Sequence, residues 1–418
     1  MKKNSLFALV TLSVALNFYG LNSWGDGSSL GKVYWVGPYV FAKSSEMMIK
    51  KMQAVAKDHN FRLLPAGIID SSTEDMNALY RENLVQMKSA DFMIADISQF
   101  RGVSAENGTA FSMGFMYGLG KPVFAYSGDR LLFYDRIVAD LVLHDRKVVE
   151  TVDGRIRDDH GDSLEVFDMA DNLMLHGAVE ISHRIAGSGV LSTRNLPKNF
   201  EGALKDAKVF LAGRKVKFDP CAQQPLPDLP RTIAGRKKAV LNGPDVFRVE
   251  AKLLGLGKNI AVDQFSLNGK QLFTGVFPYD VAVIKNPTES NYQFGTRIFQ
   301  KDVGNMCASD LSLANVVPYR GPGMDAGTAF EMGFMAAQNK PVFGYSNSKQ
   351  DYATRVRDFF SKSAQNKGLS VQSKRDPKGF LIEKGTKETM MIEGVLRSSG
   401  YGIAPSLESA LEHAGRFF

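Results

Sequence analysis

The sequence predicts two α/β domains in tandem, each built on a parallel sheet that is covered by helices on both faces. The segment from Arg101 to Ser127 aligns without a gap to the segment from Arg320 to Ser346, with 16 of 27 positions identical. Each copy also alternates short apolar runs with helical patterns, which is typical of parallel strands joined by helices. A chain of 418 residues that is 44% hydrophobic is large enough for two such domains. We therefore expect two similar domains that pack as a pseudo-dimer.

The N-terminus is expected to be a signal peptide spanning residues 1–27. Met1, Lys2 and Lys3 precede an apolar run from Leu6 to Leu16, which is the pattern of a basic n-region followed by an h-region. The run is too short to span a bilayer. No small-x-small cleavage site follows it, so an uncleaved membrane anchor is the alternative. The resulting expectation is export, to a periplasm-like compartment.

The first domain is expected at residues 31–200. Its predicted elements are a strand at Val33–Val36, a helix near Ser44–His59, a strand at Phe92–Ile97, a helix from Thr109 and a strand at Pro122–Tyr126. The apolar runs have the length of buried strands, and the intervening segments have helical spacing. The first run ends in a Gly-Pro pair, which predicts a turn at the carboxyl end of the strand.

A linker is predicted at residues 201–236, and the second domain at 237–418. The segment FDPCAQQPLPDLP at 218–230 is rich in proline, which favours a semi-rigid connection. The second domain repeats the pattern of the first, with strands predicted at Ala239–Leu241, Ile260–Val262, Leu311–Val317 and Pro341–Tyr345 and a helix from Thr328. Ligands bind at the carboxyl ends of the strands in such sheets, where the Gly-Pro turns and the GTAF segments lie.

Charge, cysteine and histidine patterns exclude several classes of function. The net charge of +7 is partly concentrated at 205–217 and 231–238, where no aromatic stripe accompanies the basic residues, so we expect no nucleic-acid partner. Cys221 and Cys307 lack CxxC spacing, and two separate thiols are favoured over one disulfide. The six histidines form no HExxH or Cys/His cluster, so no metal and no cofactor are expected.

The segment Thr328-Ala329-Phe330-Glu331 has two interpretations. T-x-x-E at a helix start is a capping box, in which Thr328 caps the helix and Glu331 reaches back to it. Alternatively, Glu331 is a functional carboxylate placed beside free helix amides at the ligand-binding edge. Asp302 and Asp325 come from segments that we expect to reach the same strand ends, and a structural cap would need no such cluster of carboxylates. The cluster favours the functional interpretation.

The segments GPDVF, IFQKDVGNMCASD, PYRGPGMDAGTAFEMGF and KPVFGYS resemble the nucleoside 2-deoxyribosyltransferase family, and so do GPYVF, FRGVSAENGTAFSMGF and KPVFAYS of the first copy. The resemblance covers most of the chain after residue 31. It implies a flavodoxin-like, doubly wound fold. It also implies an enzyme that exchanges the base of a 2-deoxyribonucleoside through a covalent glycosyl-enzyme, with nucleosides and free nucleobases as its partners.

The resemblance assigns roles to individual residues of the second copy. Glu331 would be the nucleophile, because a carboxylate can stabilise and trap the oxocarbenium character at C1′. Asp302 and Asp325 would contact sugar hydroxyls, or protonate and orient the leaving base. The remaining substrate-binding residues would be Gly243, Pro244, Phe247 and Gly327. For Phe247 the alternative is a core helix residue.

The first copy departs from this pattern, and its losses are complementary to those of the second. Ser112 replaces the nucleophile, Glu106 replaces Asp325, and Asn83 replaces Asp302. In the segment DNLML at 171–175, Asn172 resembles the family's asparagine that reaches into a neighbouring subunit's site, whereas the second copy has Thr389 there. The paired copies therefore need only one composite site.

One residue of the second copy also departs from the family pattern. The family's aromatic hydroxyl in the first strand corresponds to Val240, and only the first copy keeps an aromatic hydroxyl there, at Tyr34. Hydrolysis of the glycosidic bond and non-catalytic nucleoside binding are therefore the alternatives to transfer. Further self-association of the paired copies is also compatible with the sequence.

Overall fold

Each repeat folds around a sheet of four parallel strands, as the alternation of apolar runs and helices predicts. The computed structural model describes residues 31–69, 75–151, 154–185, 196–211, 215–222, 233–362 and 373–418. The predicted signal peptide and much of the Pro-rich segment lie outside the described residues. Within them, the two sheets have the same strand order, and every neighbouring pair of strands runs in parallel.

The first repeat contains strands β1 Gly31–Val36, β2 Phe61–Pro65, β3 Phe92–Asp96 and β4 Val123–Tyr126, and a small hairpin of β5 Val148–Glu150 and β6 Ile156–Asp158. Its helices are α1 Ser45–Asp58, α2 Met76–Ser89, α3 Asn107–Gly118, α4 Phe133–Leu143, α5 Leu173–Ile185 and α6 Phe200–Leu211. The sheet order β2-β1-β3-β4 is that of flavodoxin-like, doubly wound folds.

The second repeat contains strands β7 Lys237–Asn242, β10 Phe273–Val276, β11 Leu311–Asn315 and β12 Val342–Tyr345, and a hairpin of β8 Ser266–Leu267 and β9 Lys270–Gln271. Its helices are α7 Ala251–Gln264, α8 Asn291–Ala308, α9 Ala326–Ala337, α10 Tyr352–Lys362, α11 Met390–Ser398 and α12 Leu407–Phe417. The order β10-β7-β11-β12 repeats that of the first sheet, so the predicted fold class is confirmed.

The strand predicted at Ile260–Val262 is wrong, because these residues belong to helix α7. The buried positions of α7 are Ala251, Gly255, Asn259 and Val262, which follow the three- and four-residue spacing of a helix face. The second strand of this sheet is instead β10, beside β7. A run of three apolar residues was too short to distinguish a strand from one turn of a helix.

The linker does not begin at residue 201. Phe200–Leu211 form helix α6, which buries Ala203, Leu204 and Ala207 against the first sheet. The apolar residues of this segment recur at helical spacing, so the first repeat extends through α6. Further along, Phe218 packs against Tyr117 of α3, with 5.2 Å between ring centroids.

The two cysteines are joined in a disulfide, so the preference for separate thiols is wrong. Cys221 bonds to Cys307, with 5.6 Å between the Cα atoms. The backbone N–H of Phe218 donates to the Gly120 carbonyl, which holds the segment before Cys221 on the first repeat. Tyr117 also contacts Phe299 of α8, and this places Cys221 beside the end of that helix. Their separation of 86 residues in the sequence gave no indication of this proximity.

The repeats pack together through α3 and α9, which cross at equivalent glycines. A Cβ atom at Gly114 would lie 1.9 Å from the Phe330 carbonyl oxygen, and one at Gly333 would lie 2.0 Å from that of Phe111. The two backbones are thus in direct contact. The surrounding buried residues of both repeats form one continuous hydrophobic core, and this confirms the predicted pseudo-dimer.

The repeats also exchange helices around this crossing. Helix α5 of the first repeat packs against α8 and α9 of the second, and α11 of the second packs against α2 and α3 of the first. Each exchanged helix begins next to the N-terminal end of the other repeat's central helix. Residues of both repeats therefore meet at the carboxyl edge of each sheet.

Candidate active site

A cavity of about 610 Å³ lies at the carboxyl edge of the second sheet, between the two repeats. Cavities of roughly 300–1,000 Å³ are typical of small-molecule sites. Part of the wall is polar, with Glu165, Asn172, Lys301, Asp302, Asp325, Thr328 and Glu331. The rest is mainly apolar and includes Ile156, Leu164, Phe167, Met174, Phe247, Val281, Val283, Phe294 and Ile298. The cavity thus offers a polar surface to one part of a ligand and an apolar surface to another.

Glu331 lies in this cavity, on the second turn of α9. Helix α9 begins at Ala326 and is capped by Asp325, so the alternative in which Thr328 is the N-cap is wrong. Glu331 is also too far along the helix to face the free amides of its first turn. Burial raises the pKa of Glu331 well above its ordinary value, the charges of Asp302 and Asp325 raise it further, and Lys301 opposes them.

Asp325 combines a structural contact with a place in the cavity wall. Its Oδ2 accepts hydrogen bonds from the Thr328 backbone N–H at 2.8 Å and from the Thr328 hydroxyl at 2.9 Å. Thr328 is thus a donor to the cap and not the cap itself. Burial nevertheless raises the pKa of Asp325, although the bonds from Thr328 stabilise its charge. The helix start and the carboxylate cluster therefore use the same side chain.

Asp302 comes from α8 and is paired with its neighbour Lys301, whose Nζ lies 2.6 Å from Asp302 Oδ1. Lys301 also donates to the Pro278 carbonyl at 2.7 Å, which fixes the position of its ammonium group. Burial raises the pKa of Asp302 even beside this cation. The structure thus brings Asp302, Asp325 and Glu331 to one cavity, where close carboxyl groups disfavour simultaneous ionisation.

The turn after β7 brings the backbone close to the next strand. A Cβ atom at Gly243 would lie 2.7 Å from the Asn315 Cβ, so only glycine allows this approach. Gly243 and Phe247 line the cavity, whereas Pro244 is buried and is not part of its wall. Phe247 is buried at the end of the short helix Pro244–Phe247, and its ring stacks on Tyr319 with centroids 5.1 Å apart. It therefore combines a packing role with a place in the cavity wall.

Asn172 reaches this cavity from the first repeat, at the start of α5. Its Oδ1 lies 2.8 Å from the position that a Cβ atom would take on Gly327, so Gly327 leaves room for the amide. The same oxygen accepts the Met174 backbone N–H at 2.9 Å. The composite arrangement suggested by the complementary losses in the two copies is thus present in the geometry.

Sequence reasoning missed Glu165 and Lys301, which both line the cavity. Glu165 belongs to a loop of the first repeat that carries no motif, and only the packing of the two repeats brings it to Asp325. Lys301 could have been recognised, because it stands directly before Asp302 in the quoted segment. The β-hairpin of the first repeat and the loop around Val281 also contribute wall residues that no pattern marked.

The equivalent cavity in the first repeat is almost closed. Its volume is about 30 Å³, which is the space of about one water molecule. Asn83, Glu106 and Ser112 lie there, as the alignment predicts, but Ser112 donates to the Gly108 carbonyl at 2.8 Å. Glu106 is the N-cap of α3, and Asn83 accepts the Gly67 backbone N–H at 2.9 Å. This site has neither the space nor the carboxylate nucleophile of the other.

The first strands of the two repeats differ at one position below these sites. The Tyr34 hydroxyl is hydrogen-bonded to Ser112 in the first repeat. Val240 takes the corresponding place in β7, where it is buried and offers no hydroxyl to Glu331. Glu331 therefore has no counterpart of the Tyr34 hydroxyl in β7.

Two further properties concern the described part of the chain. Within it, no group of three or more His, Cys, Asp or Glu side chains is placed to hold a metal ion. None of the helices in the same ranges combines the length and apolarity needed to cross a membrane.

Both repeats match one family of known proteins. The family described as nucleoside 2-deoxyribosyltransferase matches residues 33–174 and 241–384. An uncharacterised protein of Schizosaccharomyces pombe is 30% identical over 139 residues, which cover 31% of this chain and 65% of that protein. The chain thus spans just under two thirds of the length of this relative.

Two solved structures are also similar. The 2-desoxiribosyltransferase from Leishmania mexicana is 25% identical, with a TM-score of 0.31, and the match covers 42% of this chain and 96% of that one. The 2-deoxyribosyltransferase from Bacillus psychrosaccharolyticus is 21% identical, with a TM-score of 0.21, and the match covers 25% of this chain and 82% of that one.

Proposed function

Because the chain belongs to the nucleoside 2-deoxyribosyltransferase family, we propose that it cleaves the N-glycosidic bond of 2-deoxyribonucleosides and transfers the sugar to another base. The observation that carries this proposal is the composite cavity. It gathers Glu331, Asp302 and Asp325 of the second repeat and Asn172 of the first around one space of about 610 Å³. The polar part suits a sugar, and the apolar part suits the faces of a nucleobase.

The first half-reaction requires an ionised nucleophile and a proton for the leaving base. A carboxylate oxygen of Glu331 forms a bond to C1′ while the C1′–N bond breaks, and its electron pair stays on the base nitrogen. Burial raises the pKa of Glu331, Asp302 and Asp325 alike, and their mutual repulsion favours a cluster that shares a proton. With that proton on Asp302 or Asp325, Glu331 is ionised and the proton can pass to the departing base. The sugar is then held as an ester of Glu331.

The second half-reaction distinguishes transfer from hydrolysis. A nitrogen of a second base attacks C1′ in transfer, and water attacks in the hydrolytic alternative. In either case the bond from C1′ to Glu331 breaks, and the proton released by the attacking group returns to the carboxylate that protonated the first base. Both reactions regenerate the Glu331 carboxylate with net retention, because each consists of two inversions. Family membership supports transfer. The second alternative, nucleoside binding without catalysis, is supported by Val240, which leaves Glu331 without a hydroxyl partner in β7.

The cavity wall carries charges of both signs. Four carboxyl groups line it, from Glu165, Asp302, Asp325 and Glu331. Three cationic side chains also line it, from Arg155, Lys285 and Lys301, and Lys301 is paired with Asp302. A substrate phosphate would therefore be repelled near the carboxyl groups and attracted near Arg155 and Lys285.

The test is incubation of the purified protein with deoxyinosine, with and without adenine, and chromatography of the products. Transfer yields deoxyadenosine and hypoxanthine only when adenine is present. Hydrolysis yields hypoxanthine at the same rate without adenine, and a binding protein yields neither product.

The nucleophile is tested by Glu331→Ala, with Ser112→Ala as the matched control at the equivalent position of the first repeat. We expect Glu331→Ala to abolish base release, because no other group can form the glycosyl ester. Ser112→Ala should leave the rate nearly unchanged, since its cavity is closed. Initial rates with deoxyinosine provide the measurement. Comparable losses in the two variants would contradict a single catalytic site.

We also propose that the protein is exported and is cleaved near residue 23. The Cys221–Cys307 disulfide supports export. Disulfides persist in oxidising compartments and are rare in reducing ones. Mass spectrometry of the mature protein is expected to show that residues up to about 23 have been removed. A mature protein that begins at Met1 or Lys2 would contradict this proposal.

A further inference from the structure

Glu165 is a buried carboxyl group that the reaction steps above do not use. It lies in the loop between β6 and α5 of the first repeat and has 5% of its surface exposed. Its side chain nevertheless lines the cavity of the second repeat, together with Asn172 and Asp325. The first repeat thus places a buried carboxyl group at the cavity of the second repeat, which raises the question of its role there.

The contacts of Asn172 show what Glu165 does. Asn172 Nδ2 donates to both carboxyl oxygens of Glu165, at 3.2 Å each. On the other side of the amide, Asn172 Oδ1 accepts the Met174 backbone N–H at 2.9 Å. A flipped amide would set oxygen against oxygen and N–H against N–H, so the two neighbours together permit only one orientation.

This orientation leaves part of the Asn172 amide for a ligand. The Asn172 amide nitrogen carries two N–H bonds that diverge by about 120°. The two carboxyl oxygens of Glu165 lie in nearly the same direction from this nitrogen, so they can engage only one of the two N–H bonds. One N–H can therefore point at Glu165 while the other points away from it. Gly327 has no side chain to obstruct the amide at this place, where a Cβ atom would lie 3.1 Å from Nδ2.

The charges around Glu165 indicate which substitution preserves its role. Burial raises the pKa of Glu165 well above its ordinary value, and Asp325 and Asp171 raise it further, while Arg320 opposes them. The Arg320 guanidinium is itself engaged, because its Nη2 donates to the Ser163 carbonyl at 2.9 Å. A neutral side chain with an acceptor oxygen in the same place is therefore compatible with this environment. Glutamine meets that requirement.

The equivalent position in the first repeat's cavity separates two roles of this glutamate. Glu383 of the second repeat accepts the Met390 backbone N–H at 3.0 Å, just as Glu165 accepts that of Leu173 at the start of α5. Capping of the helix start is thus common to both glutamates. Thr389 replaces Asn172 there, so the amide contact exists only at the cavity that contains Glu331.

We propose that Glu165 is a positioning residue of the composite site, which holds the Asn172 amide in the orientation that presents an N–H to a sugar hydroxyl. The proposal rests on the proposed function. It assigns to the first repeat a second residue, besides Asn172, that serves the site of the second repeat. Glu165 acts through Asn172 and does not itself take part in bond cleavage.

A double-mutant cycle with deoxyinosine as substrate tests this role. We expect Glu165→Ala and Asn172→Ala each to lower kcat/KM by about three- to thirtyfold, the value of one hydrogen bond to a substrate. The double variant should lose no more than Asn172→Ala alone, because Glu165 acts only through the amide. Glu165→Gln should stay within about threefold of the wild type, since its oxygen still accepts the Asn172 N–H.

Glu383→Ala is the matched control, because it removes the same helix-capping bond without an asparagine partner. It should lower the melting temperature about as much as Glu165→Ala but leave kcat/KM unchanged. Losses that multiply in the double variant, or a Glu165→Gln variant as slow as Glu165→Ala, would overturn the proposal. If the wild type does not turn over deoxyinosine, the proposed function fails. The positioning role is then tested separately, by measuring the Kd for deoxyinosine of the same variants by calorimetry.

Discussion

Buried carboxyl groups lie on both sides of the contact between the repeats, and their surroundings decide their charge. Glu331 faces Asp302 and Asp325 in the open cavity, whereas Glu383 faces Glu106 in the closed one. In both places burial is the largest cause of a raised pKa, and a second carboxyl group adds to it. In the proposed reaction, the open cavity uses this proton for chemistry. In the closed cavity it affects only stability.

The stability of the protein should therefore depend on the charge of Glu383. Burial, followed by the charge of Glu106, raises its pKa to about 8, while the Met390 N–H and Arg101 oppose the shift and Glu388 adds to it. Between about pH 4.5 and pH 8 the folded protein keeps a proton that the unfolded chain has lost, so the free energy of unfolding falls as the pH rises. Glu383→Gln should reduce this fall.

Melting temperatures measured from pH 5 to pH 8 check this expectation. The decrease with rising pH should be smaller in Glu383→Gln than in the wild type. It should not vanish, because other buried carboxyl groups also have a raised pKa. Glu46→Gln, at an exposed position of α1, is the control and should follow the wild type. Identical pH profiles for Glu383→Gln and the wild type would contradict the raised pKa of Glu383.

The sequence predicts those site residues that stand in the repeated motif. Glu331, Asp325 and Asp302 were all placed at the right edge of the sheet, and Asn172 was assigned to the opposite repeat. The alternative in which Thr328 caps α9 is wrong, because T-x-x-E spacing is the same whether Thr328 or Asp325 begins the helix. Glu165 could not be found, since its position beside Asn172 depends on how two distant segments pack.

At the scale of elements, strands and helices were predicted where the repeat aligns and missed where it diverges. The strands β1, β3, β7, β11 and β12 all lie within the ranges expected for them or extend them by one or two residues. Helix α7 contains Gly255 and Gly257, which weaken a helical pattern, and its Ile260–Val262 run resembles a strand. Packing of Gly255 against Phe277 requires the small residue, so tertiary contacts override the local preference.

The crossing of α3 and α9 predicts a strong effect of a single methyl group. In Gly333→Ala the new Cβ would lie 2.0 Å from a backbone oxygen, so the two helices would have to separate. We expect a loss of at least about 1–3 kcal/mol in the free energy of unfolding. The composite cavity would also widen, so kcat/KM should fall. Denaturant unfolding and initial rates measure the two effects.

Gly257→Ala is the control for this substitution. Gly257 also lies within a helix, but beyond its own helix backbone and its chain neighbours no atom lies within 4 Å of its would-be Cβ. Alanine there should raise the free energy of unfolding by about 0.5–1 kcal/mol through its better helix propensity. An equal loss in the two variants would show that the helix crossing has no special sensitivity.

At the scale of the whole molecule, the disulfide fastens the segment after α6 to α8, the helix that carries Lys301 and Asp302. Replacing both Cys221 and Cys307 with alanine should lower the free energy of unfolding by about 2–4 kcal/mol, because the bond restricts the unfolded chain. The position of Asp302 is fixed by packing of α8 against α5 and α9, so kcat should change little. Denaturant unfolding of the oxidised wild type and the double variant provides the comparison. An unchanged denaturation midpoint in the double variant would contradict the expected stabilisation by the disulfide.

The composite cavity has a consequence for how the protein behaves at low concentration. A site assembled from two separate subunits disappears when dilution drives the subunits apart. Here the residues from both sides belong to one polypeptide, so their encounter is intramolecular and its effective concentration is set by the connecting segment. Turnover per molecule should therefore be the same in a concentrated stock and in a highly dilute solution.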